Sequence, residues 1–411
     1  MSRNTSPRLR FGGFAGEWEE RKIIDVADYV DYRGKTPKKT EDGIFLITAK
    51  NVKMGCLDYE ISQEFIAIDD FENVMSRGKA KIGDVLITTE APLGNVAQID
   101  REDVALAQRI IKYRGIKGIL NNDFLVQRFL SDKFQAALNA LASGGTVQGI
   151  KGSLLHQMEI SLPSELEQTA LGDFFRRLDE TLAQARARLA KTQQLKRAML
   201  AKLFPRHGET VPQLRFKGFS GDWERRKFCE VAELRRGLTY SPLNISSNGI
   251  RVLRSSNINE DNYIEKDDDV FVCESAVNIP LVENGDILIT SANGSSRLVG
   301  KHAIIQTTSP AVHGGFMILA KTENPYFLNA SMSSAWYADF IRLFVAGGNG
   351  AIGNLSISDL NEQEFLIPPS LEEQTAIGNF FQKLDQTLAL QSAALEKLTR
   401  LKKALLAAML A

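Results

Sequence analysis

The chain repeats itself once, end to end, and this halves the problem of what it can fold into. Residues 9–22 read LRFGGFAGEWEERK and residues 214–227 read LRFKGFSGDWERRK, identical at ten of fourteen positions with an offset of 205. Residues 167–183, EQTALGDFFRRLDETLA, and residues 373–389, EQTAIGNFFQKLDQTLA, agree at twelve of seventeen with an offset of 206. That offset is half of a 411-residue chain. The expectation is two near-equal copies related by a pseudo-twofold axis, each carrying an equivalent site. Such symmetry suits a protein that meets two half-sites on a duplex.

The length allows two to four ordinary cores, and 44% hydrophobic residues make the chain globular. Cys56, Cys229 and Cys273 lie far apart, without CxxC or Cys/His spacing. A structural zinc or a disulfide framework is therefore not expected, and a reducing cytoplasm fits. No apolar run reaches membrane-spanning length, and MSRNTSPRLR lacks the apolar stretch of a signal peptide, so no membrane partner is expected. Fifty Lys and Arg balance fifty Asp and Glu, which leaves nucleic-acid binding to local patches.

Each copy divides alike: an opening motif, about 140 mixed residues, then a long helix. The segments read as 1–16 (N-terminal opening segment), 17–162 (first mixed domain), 163–205 (central helix), 206–221 (linker and repeated motif), 222–369 (second mixed domain) and 370–411 (C-terminal helix). The mixed parts hold short β-rich runs, IFLITA (44–49), DVLITT (84–89), DILITS (286–291) and FMILA (316–320), separated by Gly, Asn, Asp and Ser turns. This is an α+β pattern. Pro163 and the Pro368-Pro369 pair close the domains, and Ser164-Glu165 and Ser370-Leu371-Glu372 open helices with a capping residue and favourable charge.

Apolar residues then recur in alternating steps of four and three: Leu171, Phe175, Leu178, Leu182, Ala185 and Leu189 in the first helix; Ile377, Phe381, Leu384, Leu388, Leu395 and Leu398 in the second, with Gln391 the polar intruder. This is a heptad seam. Each helix could pack on its own domain alone. Two rods of roughly 60 Å, one per copy, are better explained as partners for each other, antiparallel, with the two α+β domains separated by the coiled coil.

Motifs for catalysis are weak. Gly348, Gly350 and Gly353 spell GxGxxG, but GGTVQGIKG (144–152) does not keep the spacing, and NLSISDL is too short before Pro368 for a βαβ unit. Asn324-Pro325-Tyr326-Phe327 superficially resembles a base-holding NPPY/F motif without its second proline, and Asn122-Asp123-Phe124-Leu125 has neither Pro nor Tyr. His156, His207, His302 and His313 have no partner at ligand spacing, and no Ser/His/Asp or paired-carboxylate set stands out. No metal site, no cofactor and no catalytic residue is expected; the chain binds.

Basic residues cluster in predicted loops. In the first copy these are Arg33, Lys35, Lys38 and Lys39, with Thr36 among them, then Lys50, Asn51 and Lys53. In the second they are Arg235, Arg236, Arg254 and Arg297, with Tyr240, Ser255, Asn257, Asn293 and Ser296 interleaved. Lysines suit phosphate oxygens; Arg, Asn, Thr and Ser can read base edges in the major groove. Solvated surface loops are the plain alternative. Against it, the copies agree in framework and disagree in loops: GDVLITT is followed by EAPLGN, GDILITS by SANGSSRLVG.

These motifs together resemble the specificity subunit of a type I restriction-modification system. The resemblance spans the whole length and rests on Trp18 to Lys22 and Trp223 to Lys227, the GD(V/I)LIT runs, the Gly-rich loops, and above all Glu167–Thr181 and Glu373–Thr387. It implies two target recognition domains, each reading half of a bipartite asymmetric DNA target. It implies two antiparallel helices that act as a ruler and dock two methylation subunits, which bind AdoMet and methylate adenine, with a restriction/translocase subunit joining for cleavage. The chain itself is then not an enzyme. A coiled-coil scaffold without DNA readout and a self-contained methyltransferase are the alternatives; divergent loops argue against the first, missing catalytic motifs against the second.

Overall fold

Trp18 and Trp223 are buried, and the four residues after each form a strand that runs antiparallel to the strand preceding a long helix. Glu19–Lys22 pairs with Glu159–Leu162, and Glu224–Lys227 pairs with Glu364–Ile367. The repeated opening motif thus ties the start of each domain to its end. The computed structural model describes residues 7–32, 36–345 and 353–410.

Both domains carry a corresponding pair of sheets, one of which has four strands in the first domain and three in the second. In the first, Ala27–Asp31, Ile110–Gly115, Val85–Thr89 and Leu93–Gln98 form one antiparallel sheet in that order. Glu233–Arg236, Met317–Lys321, Ile287–Thr290 and His302–Ile304 repeat it in the second. In the other sheet a parallel pair recurs, Ile44–Ile47 with Val104–Leu106 and Ile245–Leu253 with Ala311–His313. The VLITT and ILIT runs are buried at every residue. Continuous apolar character is what a strand covered on both faces requires. The run expected as FMILA enters its strand one residue late, at Met317, leaving Phe316 outside it.

The long helices span Glu165–Leu203 and Leu371–Met409. Ser164 and Ser370 accept, through Oγ, the amide protons of Glu167 (3.4 Å) and Glu373 (3.3 Å), so each helix starts on the expected cap. Of the seam, Leu171, Phe175, Leu182, Ile377 and Phe381 are buried, while Leu178, Leu189, Leu384, Leu388 and Leu395 are half-buried.

Contacts divide the chain into two compact units that cut across the linear segments: residues 1–187 with 393–411, and residues 188–392. Each long helix begins in one unit and ends in the other. In the first unit the sheet core continues through Leu171 and Phe175 to Leu406, Met409 and Leu410, the tail of the second helix. In the second unit Phe327, Ile377 and Phe381 meet Leu203 and Phe204, at the end of the first. The start of the seam therefore packs on its own domain and on the other helix at once.

The helices are also pinned by charge. Lys402 Nζ meets Asp179 Oδ1 at 2.5 Å in the first unit, and Lys196 Nζ meets Asp385 Oδ1 at 2.8 Å in the second. These are the aspartates of the repeated LD-x-T motif, each held by a lysine of the opposite helix. Lys196 also reaches Asp261, at 3.1 Å. Burial pulls the Lys196 ammonium down, but Asp385 and Asp261 outweigh it and hold it above the usual range. Burial pushes the Asp385 carboxyl up, with Lys196 offsetting part of that rise. In the first unit buried Arg128 donates to the Leu410 carbonyl at the end of the second helix, where a cation complements the helix dipole.

The two repeated motifs interlock. Arg10 donates from Nε and Nη2 to Glu167, both at 2.6 Å, and from Nη1 to the Gly16 carbonyl at 2.6 Å. Arg215 does the same with Glu373, both bonds at 2.7 Å, and with the Gly221 carbonyl. The Gly of EQTA-(L/I)-G has a packing role. A Cβ on Gly172 would lie 2.9 Å from Asp123 Cβ and 3.1 Å from the Phe124 amide nitrogen; on Gly378 it would lie 2.7 Å from that of Phe327. Only glycine lets the first turns of Asn122–Leu130 and Pro325–Met332 sit against the long helices.

Candidate nucleic-acid interface

Loops at one end of the first unit's sheets enclose a groove of about 280 Å³. It brings together Thr36, Lys39 and Lys50 of the expected set with Thr48, Glu64, Gln108 and Arg109. Lys39 Nζ lies 2.7 Å from Glu64 Oε2. Burial pushes the Glu64 carboxyl up, but bonds from Lys39 and Ser62, with the Lys50 charge, more than reverse this and hold it below the usual carboxylate range. Arg109 Nε meets Glu90 Oε1 at 2.6 Å, half exposed on both sides. Its backbone is in the left-handed region, φ 73°, a strained conformation for a non-glycine residue, and its carbonyl accepts from the Thr89 amide at 2.9 Å. Lys38 is exposed near the groove in sequence and Lys53 is half-buried on the strand Val52–Lys53. Arg33 and Lys35 lie outside the described residues.

Asn51 and Asn257 require a correction, since both are fully buried. Asn51 Oδ1 accepts from the Thr48 amide and hydroxyl at 2.8 and 2.7 Å, while Nδ2 donates to the Asp58 and Ile61 carbonyls. Asn257 Oδ1 accepts from the Arg254 amide at 2.8 Å, and Nδ2 donates to the Ile264 carbonyl and Asp269 at 3.0 and 2.8 Å. Asn51 fills all four of its hydrogen-bonding positions and Asn257 three of four in shaping the loop, and full burial keeps both from a base edge. The pair instead marks Thr48 and Arg254 as equivalent positions, each three residues before its asparagine.

In the second unit Asn293 Nδ2 donates to Ser255 Oγ at 3.0 Å, joining the loop after Ile287–Thr290 to the one bearing Arg254. Arg254 is half-buried; Nη2 reaches the Asp268 carbonyl at 3.4 Å, and Nε has no hydrogen-bond partner among the described residues. Arg235 pairs with Glu233 at 2.8 Å beside exposed Arg236, Tyr240 packs at the edge of a small core around Leu238, and Ser296 and Arg297 are exposed in a short turn. The closing Gly-rich segments lie against the same loops: Gly149 bridges Glu90, and Gly353 pairs with Asn293. Gly348 and Gly350 fall outside the described residues. Among the described residues no three His, Cys, Asp or Glu side chains gather as a metal site, and no helix is long and apolar enough to cross a membrane.

Sequence reasoning missed Glu64, Gln108, Arg109 and Phe316. Arg109 and Phe316 are equivalent. The strand pairs Ile47 with Leu106 and Leu253 with His313 set the register, and the Thr89 amide donates to the Arg109 carbonyl as the Ser291 amide donates to that of Phe316, both at 2.9 Å. The sequence alone carries little signal for this position: between ALAQRII and VHGGFMI only the last residue is identical, so the Arg109–Phe316 difference does not stand out.

Two copies of an α+β domain, each followed by a long helix and each with its own loops, define a class of internally duplicated proteins. The family described as "Type I restriction modification DNA specificity domain" matches residues 15–194 and again 220–400, and the chain belongs to it. The Escherichia coli K12 type I restriction enzyme EcoKI specificity subunit is 25% identical over 271 residues, 62% of this chain and 57% of that one, so the match spans little more than half of that relative. The fold is shared with the type I S subunit from M. genitalium, at TM-score 0.70 and 18% identity over 99% of both chains. A chain from a structure of type I R-M complex assembly and conformational transition follows at TM-score 0.50 and 17% identity, covering 95% of this chain and 96% of that one.

Proposed function

We propose that this chain is the sequence-reading subunit of a type I restriction-modification complex, in which each unit reads one half of a bipartite, asymmetric duplex target. The long helices set the interval between halves and dock two methylation subunits; a restriction/translocase subunit joins them for cleavage. AdoMet belongs to the methylation subunits, and the chain contributes binding and orientation with no chemical step of its own. One observation supports this reading above the others: on one scaffold, equivalent positions carry different recognition chemistry, Thr48 against Arg254 and Arg109 against Phe316. Exposed Lys38, Lys50, Arg236 and Arg297 suit phosphates, which give affinity and salt dependence. Arg109, Arg254 and Asn293 carry donors suited to guanine or adenine edges.

Mapping methylated adenines in a host that expresses the chain with its methylation partner tests this. A bipartite motif is expected, and the purified chain alone transfers no methyl group. Arg109→Ala and Arg254→Ala each weaken a different half-site, by about 1–3 kcal/mol for a lost bidentate base contact. If both variants leave the motif and the affinity unchanged, the loops described above do not read DNA.

A further inference from the structure

Phe316 is 73% exposed, although the strand it introduces is buried over its first four residues. Single exposed apolar side chains are common and usually mean nothing. This one differs in its setting. Its carbonyl accepts from the Ser291 and Ala292 amides at 2.9 and 3.2 Å, and the preceding Gly314 is held by the Leu253 carbonyl at 2.8 Å. Gly314 also passes so close to Gly237 that a Cβ there would lie 1.9 Å from the Gly314 oxygen. The backbone is therefore pinned while the ring is left in water. Around it, Ser291 leads through Ala292 to Asn293, whose amide is bonded to Ser255, next to Arg254.

We infer that Phe316 is a specificity-determining residue that packs on the 5-methyl group of a thymine in the half-site read by the second unit. The inference rests on the DNA-reading function proposed above. A phenyl ring offers no hydrogen bond, and the one apolar feature on base-pair edges in the major groove is the thymine methyl. Asn293 and Arg254, on the two loops joined by the Asn293–Ser255 bond, supply the polar contacts. The first unit presents Arg109 at the same place, so one scaffold position reads by hydrogen bonds in one half-site and by apolar contact in the other.

The test uses the full chain and duplexes carrying the methylated motif, with each thymine of the second half-site replaced singly by uracil, which removes only the methyl. The second half-site is the one whose recognition Arg254→Ala weakens. Wild-type protein should lose about fourfold in affinity at one position, the burial of one methyl group. Phe316→Ala should weaken binding and be indifferent to uracil there, while Phe316→Leu keeps part of the preference; neither should shift the thermal midpoint, the ring being exposed. Unchanged binding by Phe316→Ala overturns the inference. So does weakened binding with no uracil response in the wild type, which points to a ring wedged between base steps. Absence of sequence-specific binding by the wild type overturns the DNA-reading function and, with it, the role of Phe316.

Discussion

Four residues inserted after Gln184 and four after Leu390 should yield a complex that methylates the same two half-sites with a spacer longer by about two base pairs. Four helical residues add about 6 Å and turn the helix by little more than one full turn, so the apolar seam is nearly kept. Two base-pair steps span about 7 Å along a strand. The charged clamps explain why both helices must grow together. Seventeen residues separate Asp179 from Lys196 on one helix and Asp385 from Lys402 on the other, and both pairs form. Lengthening both helices keeps these intervals equal; lengthening one forces a pair to break or a helix to bulge. The double insertion should therefore assemble better than either single one, and the methylated motif shows the outcome. An active double variant with an unchanged spacer, or with altered half-site bases, would show that the helices serve only as docking surfaces.

The second large effect concerns the clasp between the repeated motifs. Glu167→Ala should destabilise the first unit by about 3 kcal/mol, and Glu373→Ala the second by a similar amount, because each leaves an arginine without its carboxylate. Glu167 and Glu373 are 1% exposed at the side chain, whereas Arg10 and Arg215 retain 18% and 12%, which places the cost at the low end of the buried range. For units of this size the thermal midpoint should fall by roughly 6–12 °C. Replacing both partners by apolar residues, Arg10→Met with Glu167→Leu, should recover much of the loss. Midpoint shifts below about 1 °C in both single variants would mean that the clasp is decorative.

The elements legible in the sequence are those whose cause is local and repeated. Leu171, Phe175 and Leu182 recur at helical spacing, so the helix and its buried face could be read directly. The VLITT and ILIT runs are apolar throughout, so their burial followed. The motif linking Glu167 to Thr181 was visible as a repeat, but the reasons for its residues were not. Glu167 answers Arg10, Asp179 answers Lys402, and Gly172 makes room for Phe124; each partner lies far away in the chain. The recognition surface was less legible for two opposite reasons. Asn51 and Asn257 look like polar loop residues and are fully buried inside the loop. Arg109 and Phe316 border apolar β runs and look like parts of strands, yet their backbones turn just where the strand begins.

The crossed tails also order the events of synthesis. The second unit is continuous, residues 188–392, whereas the first needs residues 393–411 to complete its core with Leu406, Met409 and Leu410. Domains generally fold as units while the chain emerges, N-terminal first. Here the order is reversed at completion: residues 1–187 emerge first but wait, with Leu171 and Phe175 uncovered on one side, until the last helix has left the ribosome. Limited proteolysis of ribosome-bound chains in which residue 392 is followed by a flexible tether long enough to clear the exit tunnel should cut the first unit and spare much of the second; equal protection would refute this order. The half of the protein that is made first is the half that is finished last.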